Sequence, residues 1–238
     1  LSIINYQLKM KPYTKIPIIE CGESLIPIPL EKFAVVTPHP YQVLGANYGD
    51  RSPYFLRESV VNALLLAQQE LNLIYPQWKI LIFDAYRPLP VQQFMVDYSF
   101  NQLLKSQGLK IDELTSEQIK ELWEQVYQFW AIPNYDLATP PPHSTGGAID
   151  ITLINNDTQT VINMGSEIDE ISVKSYPDHF ANSTDLKEQE YHNNRKILQS
   201  VMYKAGFKQH PNEWWHFCLD DQMYAWLSNV PHAQYGRI

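Results

Sequence analysis

A chain of 238 residues that is 45% hydrophobic, 13% aromatic and 18% charged is long and apolar enough to bury a sizeable core, which excludes a disordered or fibrous protein. Its formal net charge of −8 argues against a nucleic-acid groove, because binding phosphates needs a concentration of Lys and Arg. No apolar run approaches the ~20 residues that cross a bilayer, so no membrane span is expected.

Residues 1–5 lack the basic and then apolar pattern of a secretory signal, and the expected location is the cytoplasm, or the periplasm if a signal has already been removed. Cys21 and Cys218 are too few for a disulfide framework. Residues 1–40 carry Pro12, Pro17, Pro27, Pro29, Pro38 and Pro40, which excludes helix and confines strands to edges or short pieces. They are expected to form an extended arm, with two short apolar pieces at 16–19 and 25–28 to hold it down, ahead of one domain over 41–238.

Val60, Leu64, Ala67, Leu71 and Ile74 fall on one face of a helix over 57–75, and Pro76 ends it. Residues 79–84 are β-favouring and run into Ala85-Tyr86-Arg87-Pro88, so a buried strand should deliver Arg87 at its end. Helices follow over 90–107 and 116–130, the second opened by Thr115 and Gln118 at capping-box spacing. Its Leu122, Trp123, Val126, Phe129 and Trp130 read as a packed face rather than a binding platform. Pro140-Pro141-Pro142 stiffen the approach to His143.

Beyond Gly146-Gly147, a strand over 148–154 and a turn at 155–157 lead to a hairpin partner over 158–162. Alternation puts Ile149, Ile151 and Leu153 on one face and Asp150 on the other, less apolar one. A helix over 185–205 is capped by Asp185 and stopped by Gly206, and 215–219 reads as the last strand. Helices alternating with isolated strands and one hairpin give an α+β class, with a small, largely antiparallel sheet and helices packed around it.

The chemistry gathers at two stretches. His143 and Asp150 flank the glycine bend, and His216 lies far downstream; together they offer three ligands to one divalent metal and leave the fourth tetrahedral position for water, the pattern of a catalytic zinc site. Taken singly, each histidine reads as an ordinary hydrogen-bonded residue, and His39, His179, His192, His210 and His232 stay unassigned. Glu213 precedes His216 by three residues, a spacing that on a regular strand points the two side chains to opposite faces. It can act as a base from a turn or bulge, which Pro211-Asn212 allows, and is otherwise a solvated carboxylate. Arg87 reads either as a stabiliser of an oxyanion or as the salt-bridge partner of Asp84, and Asp169 either as functional or as a hydrated loop acid. Spacing alone reaches a mononuclear metal hydrolase.

Five stretches then occur in order: Asn47-Tyr48, Asp84-Ala85-Tyr86-Arg87-Pro88, the run from His143 to Leu153, the run from Met164 to Asp169, and Ala205-Gly206-Phe207 leading to Glu213-Trp214-Trp215-His216. The set covers roughly residues 41–220 and resembles the zinc D-alanyl-D-alanine dipeptidases of the vancomycin-resistance type, a family related in fold to hedgehog domains and zinc D-Ala-D-Ala carboxypeptidases. The resemblance implies one Zn2+ per chain held by His143, Asp150 and His216, with Glu213 as catalytic base and Arg87 facing the oxyanion. It implies Asp169 as the contact to the substrate ammonium and Tyr41 as a substrate-contacting tyrosine. The implied substrate is a small dipeptide, D-Ala-D-Ala or a related D-containing one, from peptidoglycan chemistry.

Pro141 stands where that family carries a serine that helps to bind the substrate's amino end, and proline offers neither hydroxyl nor N–H. Two rival readings are a zinc carboxypeptidase trimming longer peptidoglycan stems and a non-catalytic zinc-containing binding domain. The presence of Glu213 and Arg87 beside all three ligands argues against the second.

Overall fold

The structure is a computed structural model that describes residues 11–238. In chain order its strands are β1 (Leu25–Pro27), β2 (Ala34–Val35), β3 (Phe55–Arg57), β4 (Trp78–Asp84), β5 (Ala148–Asn155), β6 (Thr160–Val161), β7 (Lys208–Gln209) and β8 (His216–Cys218). Its α-helices are α1 (Pro40–Val43), α2 (Glu58–Ile74), α3 (Leu89–Ser106), α4 (Ser116–Phe129), α5 (Leu186–Lys204) and α6 (Gln222–Ser228). The α+β class is as expected. The main sheet runs β2-β4-β5-β8-β7, with β6 paired to β5, and only the β2–β4 pair is parallel.

Helix α2 forms because its apolar positions recur at helical spacing, and Val60, Leu64, Ala67 and Leu71 are all fully buried. It packs against α5 and β4, and its core continues through Ile80 and Ile82 of β4 to Ile149, Ile151 and Leu153 of β5. Each such aliphatic side chain contributes about 1.5–3 kcal/mol on burial. A second core joins α3 to α4, where Phe100 stacks on Trp123 with centroids 4.0 Å apart. The predicted capping box is present: Thr115 Oγ1 accepts from Gln118 N–H, and the Gln118 side chain accepts from Thr115 N–H.

Strand β5 differs from the expectation in one respect. The alternation holds, but neither face is open to water: Asp150 and Thr152 are buried as well as the Ile-Ile-Leu row. A buried carboxylate needs partners. His216 of β8, its direct cross-strand neighbour, is one; on the other side a register shift between Ile82 and Asp84 of β4 sets a second carboxylate, Asp84, opposite Asp150, and Arg87 just beyond β4 pairs with both. The site is therefore built across three adjacent strands.

Residues 11–40 run over this body in short hydrogen-bonded pieces. Ile19 N–H and Cys21 N–H donate to Ala233 and Gln234 carbonyls, Ala233 N–H donates to the Pro17 carbonyl, and β1 pairs with β3. The buried Arg57 ties three segments together: it ion-pairs with Glu20 at 3.0 Å and donates to the carbonyls of Thr145 and Gly236.

Candidate metal centre

Two glycines shape the approach to the site. Residues Pro142–Thr145 form a 3-10 turn that closes on Gly146, whose φ of +74° lies in the left-handed region that favours glycine. At Gly147 a Cβ would stand 2.7 Å from the Leu219 carbonyl oxygen, so only glycine fits without a backbone shift. The turn sends His143 inward, where its Nδ1 lies 2.7 Å from the Ala85 carbonyl. A carbonyl only accepts, so Nδ1 carries the proton and Nε2 presents a lone pair.

That Nε2 lies 3.2 Å from Asp150 Oδ2 and 3.2 Å from His216 Nδ1, while His216 Nδ1 lies 3.1 Å from Asp150 Oδ1. The three residues are 4%, 2% and 5% exposed. Burial alone would raise the Asp150 carboxyl, but the two imidazoles hold it well below the usual carboxylate range, so it is an anion that accepts only. A proton on His216 Nδ1 is the one hydrogen this triangle can share, whereas a cation would serve all three atoms at once. His216 Nε2 is buried without a partner among the described residues, so no protein acceptor there competes for the ring proton. For metal bonds of ~2.0–2.1 Å the edge of a tetrahedron is about 3.3 Å, close to the observed spacing. Donor types, spacing and burial all fit zinc.

Glu213 sits in the turn ahead of β8 rather than on the strand, with its N–H toward the His210 carbonyl at 3.4 Å. The awkward three-residue spacing is resolved there: Glu213 Oε2 comes within 3.8 Å of His216 Nδ1. Burial pushes its carboxyl up to about 8, with the Asp150 charge adding to the rise and Lys11 opposing it.

Arg87 is the ion-pair partner of Asp84, and it also lines the recess. Its Nε donates to Asp84 at 2.8 Å, Nη1 to Gln92 at 2.9 Å, and Nη2 to the Tyr41 hydroxyl at 3.1 Å and to Asp150 at 3.2 Å. It thus bridges two carboxylates that the sheet register forces together, while its Cζ lies 4.9 and 5.0 Å from the ring centroids of Tyr41 and Trp130. Tyr41 donates in turn to Asp169 Oδ2 at 2.7 Å, so two residues 128 apart in sequence meet at one spot. Asp169 holds a left-handed φ of +65°, an uncommon conformation for a residue with a side chain. Burial and then the Asp150 charge push its carboxyl up to about 7.

Sequence reasoning missed part of the surround. Asp84 accepts from Tyr48 Oη at 2.9 Å and from His39 Nε2 at 3.1 Å, which makes His39 a buttress of the Arg87 network. His210 lines the recess, its Nδ1 accepting from Asn212 N–H and lying 3.6 Å from Glu213. Lys11 and Tyr13 reach the same recess from the proline arm. Tyr48 belonged to a recognised motif and could have led to Asp84, but nothing local marked Lys11. The recess is a tight one, with a cavity volume of about 30 Å³, well below the ~300–1,000 Å³ of typical small-molecule sites.

Comparison with known proteins gives a consistent picture. The Peptidase_M15 family, described as D-ala-D-ala dipeptidase, matches residues 35–234, so Lys11 and Tyr13 lie ahead of the matched region. A D-alanyl-D-alanine dipeptidase of Synechocystis sp. (strain ATCC 27184 / PCC 6803 / Kazusa) is 46% identical over 247 residues, spanning 99% of this chain and 100% of the relative. A D-alanyl-D-alanine dipeptidase of Enterococcus faecium is 30% identical over 171 residues, spanning 72% of this chain and 74% of the relative.

Proposed function

This chain belongs to the Peptidase_M15 D-ala-D-ala dipeptidase family, and on that premise we propose that it is a zinc metallopeptidase hydrolysing D-alanyl-D-alanine or a closely related D-containing dipeptide. The observation that carries the reading is the convergence of three buried ligand atoms at 3.1–3.2 Å with the Glu213 carboxylate beside them in the same recess.

His143, Asp150 and His216 would hold the zinc, which when bound supplies a Lewis acid for the scissile carbonyl and lowers the pKa of water toward neutrality. Glu213 takes the proton of the attacking water and returns it to the leaving amine, the task for which a carboxyl raised toward neutrality is suited. Arg87 places a fixed cation beside the developing oxyanion. Four of its five N–H donors are held by Asp84, Gln92, Tyr41 and Asp150, which fixes the guanidinium plane and leaves one Nη1 hydrogen for the substrate. Asp169, held by Tyr41, receives the substrate ammonium.

The small recess and an ammonium-binding acid at its wall favour a free dipeptide over the end of a longer stem. Pro141 contributes to the site through backbone alone, its carbonyl accepting from Ser144 N–H at 3.0 Å, so the amino end of the substrate rests on Asp169 and Tyr41. Turnover of D-Ala-D-Ala compared with that of a stem pentapeptide ending in D-Ala-D-Ala tests this. The dipeptide should be strongly preferred, and activity on the pentapeptide alone would contradict the assignment of Asp169.

Among the described residues no helix is long and apolar enough to cross a membrane. We place the protein in the cytoplasm, the location expected from the sequence. Recovery of the full gene product in a periplasmic fraction would contradict that placement.

A further inference from the structure

A dipeptide is a zwitterion, and a site that selects it needs a cation for the carboxylate as well as an anion for the ammonium. In the proposed reading Asp169 and Tyr41 serve the ammonium, and nothing has yet been assigned to the carboxylate. The recess is lined by two basic side chains, Arg87 and Lys11; burial lowers the pKa of the Lys11 ammonium and the Glu213 charge opposes that fall. Arg87 is held by Asp84, Gln92, Tyr41 and Asp150, so its charge is already shared between two carboxylates. The Lys11 ammonium has no hydrogen bond or ion pair within 4 Å among the described residues, and it lines the recess in electrostatic reach of His210 and Glu213.

From this we propose that Lys11, carried in by the N-terminal arm, is the specificity-determining residue that pairs with the free carboxylate of the dipeptide substrate. The proposal rests on the dipeptidase reading above and adds to it a subsite outside the region that matches the family.

The arm presents Lys11 in a fixed place. Thr14 donates both its N–H, at 3.1 Å, and its hydroxyl, at 2.8 Å, to the Lys11 carbonyl, locking the start of the short turn Pro12–Lys15. Tyr13, the next residue but one, is buried against Ala148, Cys218 and Met223. Ala148 and Cys218 are cross-strand partners on β5 and β8, the strands that carry Asp150 and His216. The segment after the turn is then tied to residues 233 and 234 by backbone hydrogen bonds. Lys11 is thus registered to the metal centre through Tyr13, and it lines the recess together with Glu213.

The test uses the full-length zinc-loaded enzyme and two substrates, D-Ala-D-Ala and its C-terminal amide, which differ only in the charge at the proposed contact. The wild type should prefer the free acid, chiefly through KM. In Lys11→Gln the acid-to-amide ratio of kcat/KM should fall by about 10- to 100-fold, the scale of one charge-assisted contact, and Lys11→Arg should retain much of the preference. Both rates come from one preparation, so the ratio is independent of how much of a variant is folded. An unchanged ratio in Lys11→Gln, or equal losses on both substrates, overturns the proposal while leaving the dipeptidase reading intact. A wild type that hydrolyses neither substrate overturns the dipeptidase reading itself, and the Lys11 assignment with it.

Discussion

Asp84→Asn tests the view that the site is held by a buried charge network rather than by its ligands alone. Asp84 is completely buried and accepts from Arg87 at 2.8 Å, Tyr48 at 2.9 Å and His39 at 3.1 Å. Burial by itself would raise its carboxyl, but Arg87 in the first place and the imidazoles of His39 and His143 hold it below the usual range, so it is an anion in the fold. Asparagine keeps the shape and loses the charge, and one of its two polar atoms becomes a donor facing donors. Breaking one side of a buried pair in this way costs about 3–5 kcal/mol. Urea denaturation should show a lower midpoint with an unchanged slope, and the effect of Tyr48→Phe should shrink in the Asp84→Asn background because the hydroxyl has lost its acceptor. A destabilisation under about 1 kcal/mol, or strict additivity of the two substitutions, would refute the network.

Three other outcomes follow from the same geometry. In the metal-free protein Glu213 should titrate near 8 and Asp169 near 7, both readable from carboxyl 13C shifts. Both are raised, so the stability they contribute is full below their unfolded values near ~4 and is lost as pH rises through 7 and 8; Glu213→Gln should flatten the upper part of that decline, and zinc should move the Glu213 titration downward. Gly147→Ala must open a 2.7 Å contact with the Leu219 carbonyl and should lower stability by about 1–3 kcal/mol, whereas a neutral effect would mean that the bend yields easily. Tyr41→Phe removes the hydrogen bond to Asp169 and one from Arg87, and should raise KM for the dipeptide by about tenfold. An unchanged KM would detach Tyr41 from substrate binding.

The long helices were legible because their apolar spacing is local, and α2, α4 and α5 begin within a residue of where capping and periodicity put them. The cluster of His143, Asp150 and His216 was legible from residue type and the glycine bend. What escaped depends on contacts between distant segments. Whether Glu213 came beside His216 turned on the turn at 210–213, and Arg87 pairs with two carboxylates because a register shift in β4 sets Asp84 opposite Asp150. The arm was read as an extended cover; over 11–40 it forms short pieces, among them β1 and β2, the latter an edge of the main sheet, while residues 1–10 lie outside the described ones. Prolines cannot reveal that the short turn at 12–15 would dock Tyr13 on β5 and β8 and so bring Lys11 to the recess. The tail beyond residue 219 was uninformative alone, and it acquires its meaning as the backbone partner of that arm.

The most direct test of the central claim measures zinc content and D-Ala-D-Ala turnover in the same preparations of wild type and Glu213→Ala. The account predicts one zinc per chain in both and loss of nearly all turnover in the variant alone, since Glu213 moves the proton without being one of the three ligands. Undiminished turnover in Glu213→Ala, or a wild type that is fully active after its zinc has been stripped, would contradict it.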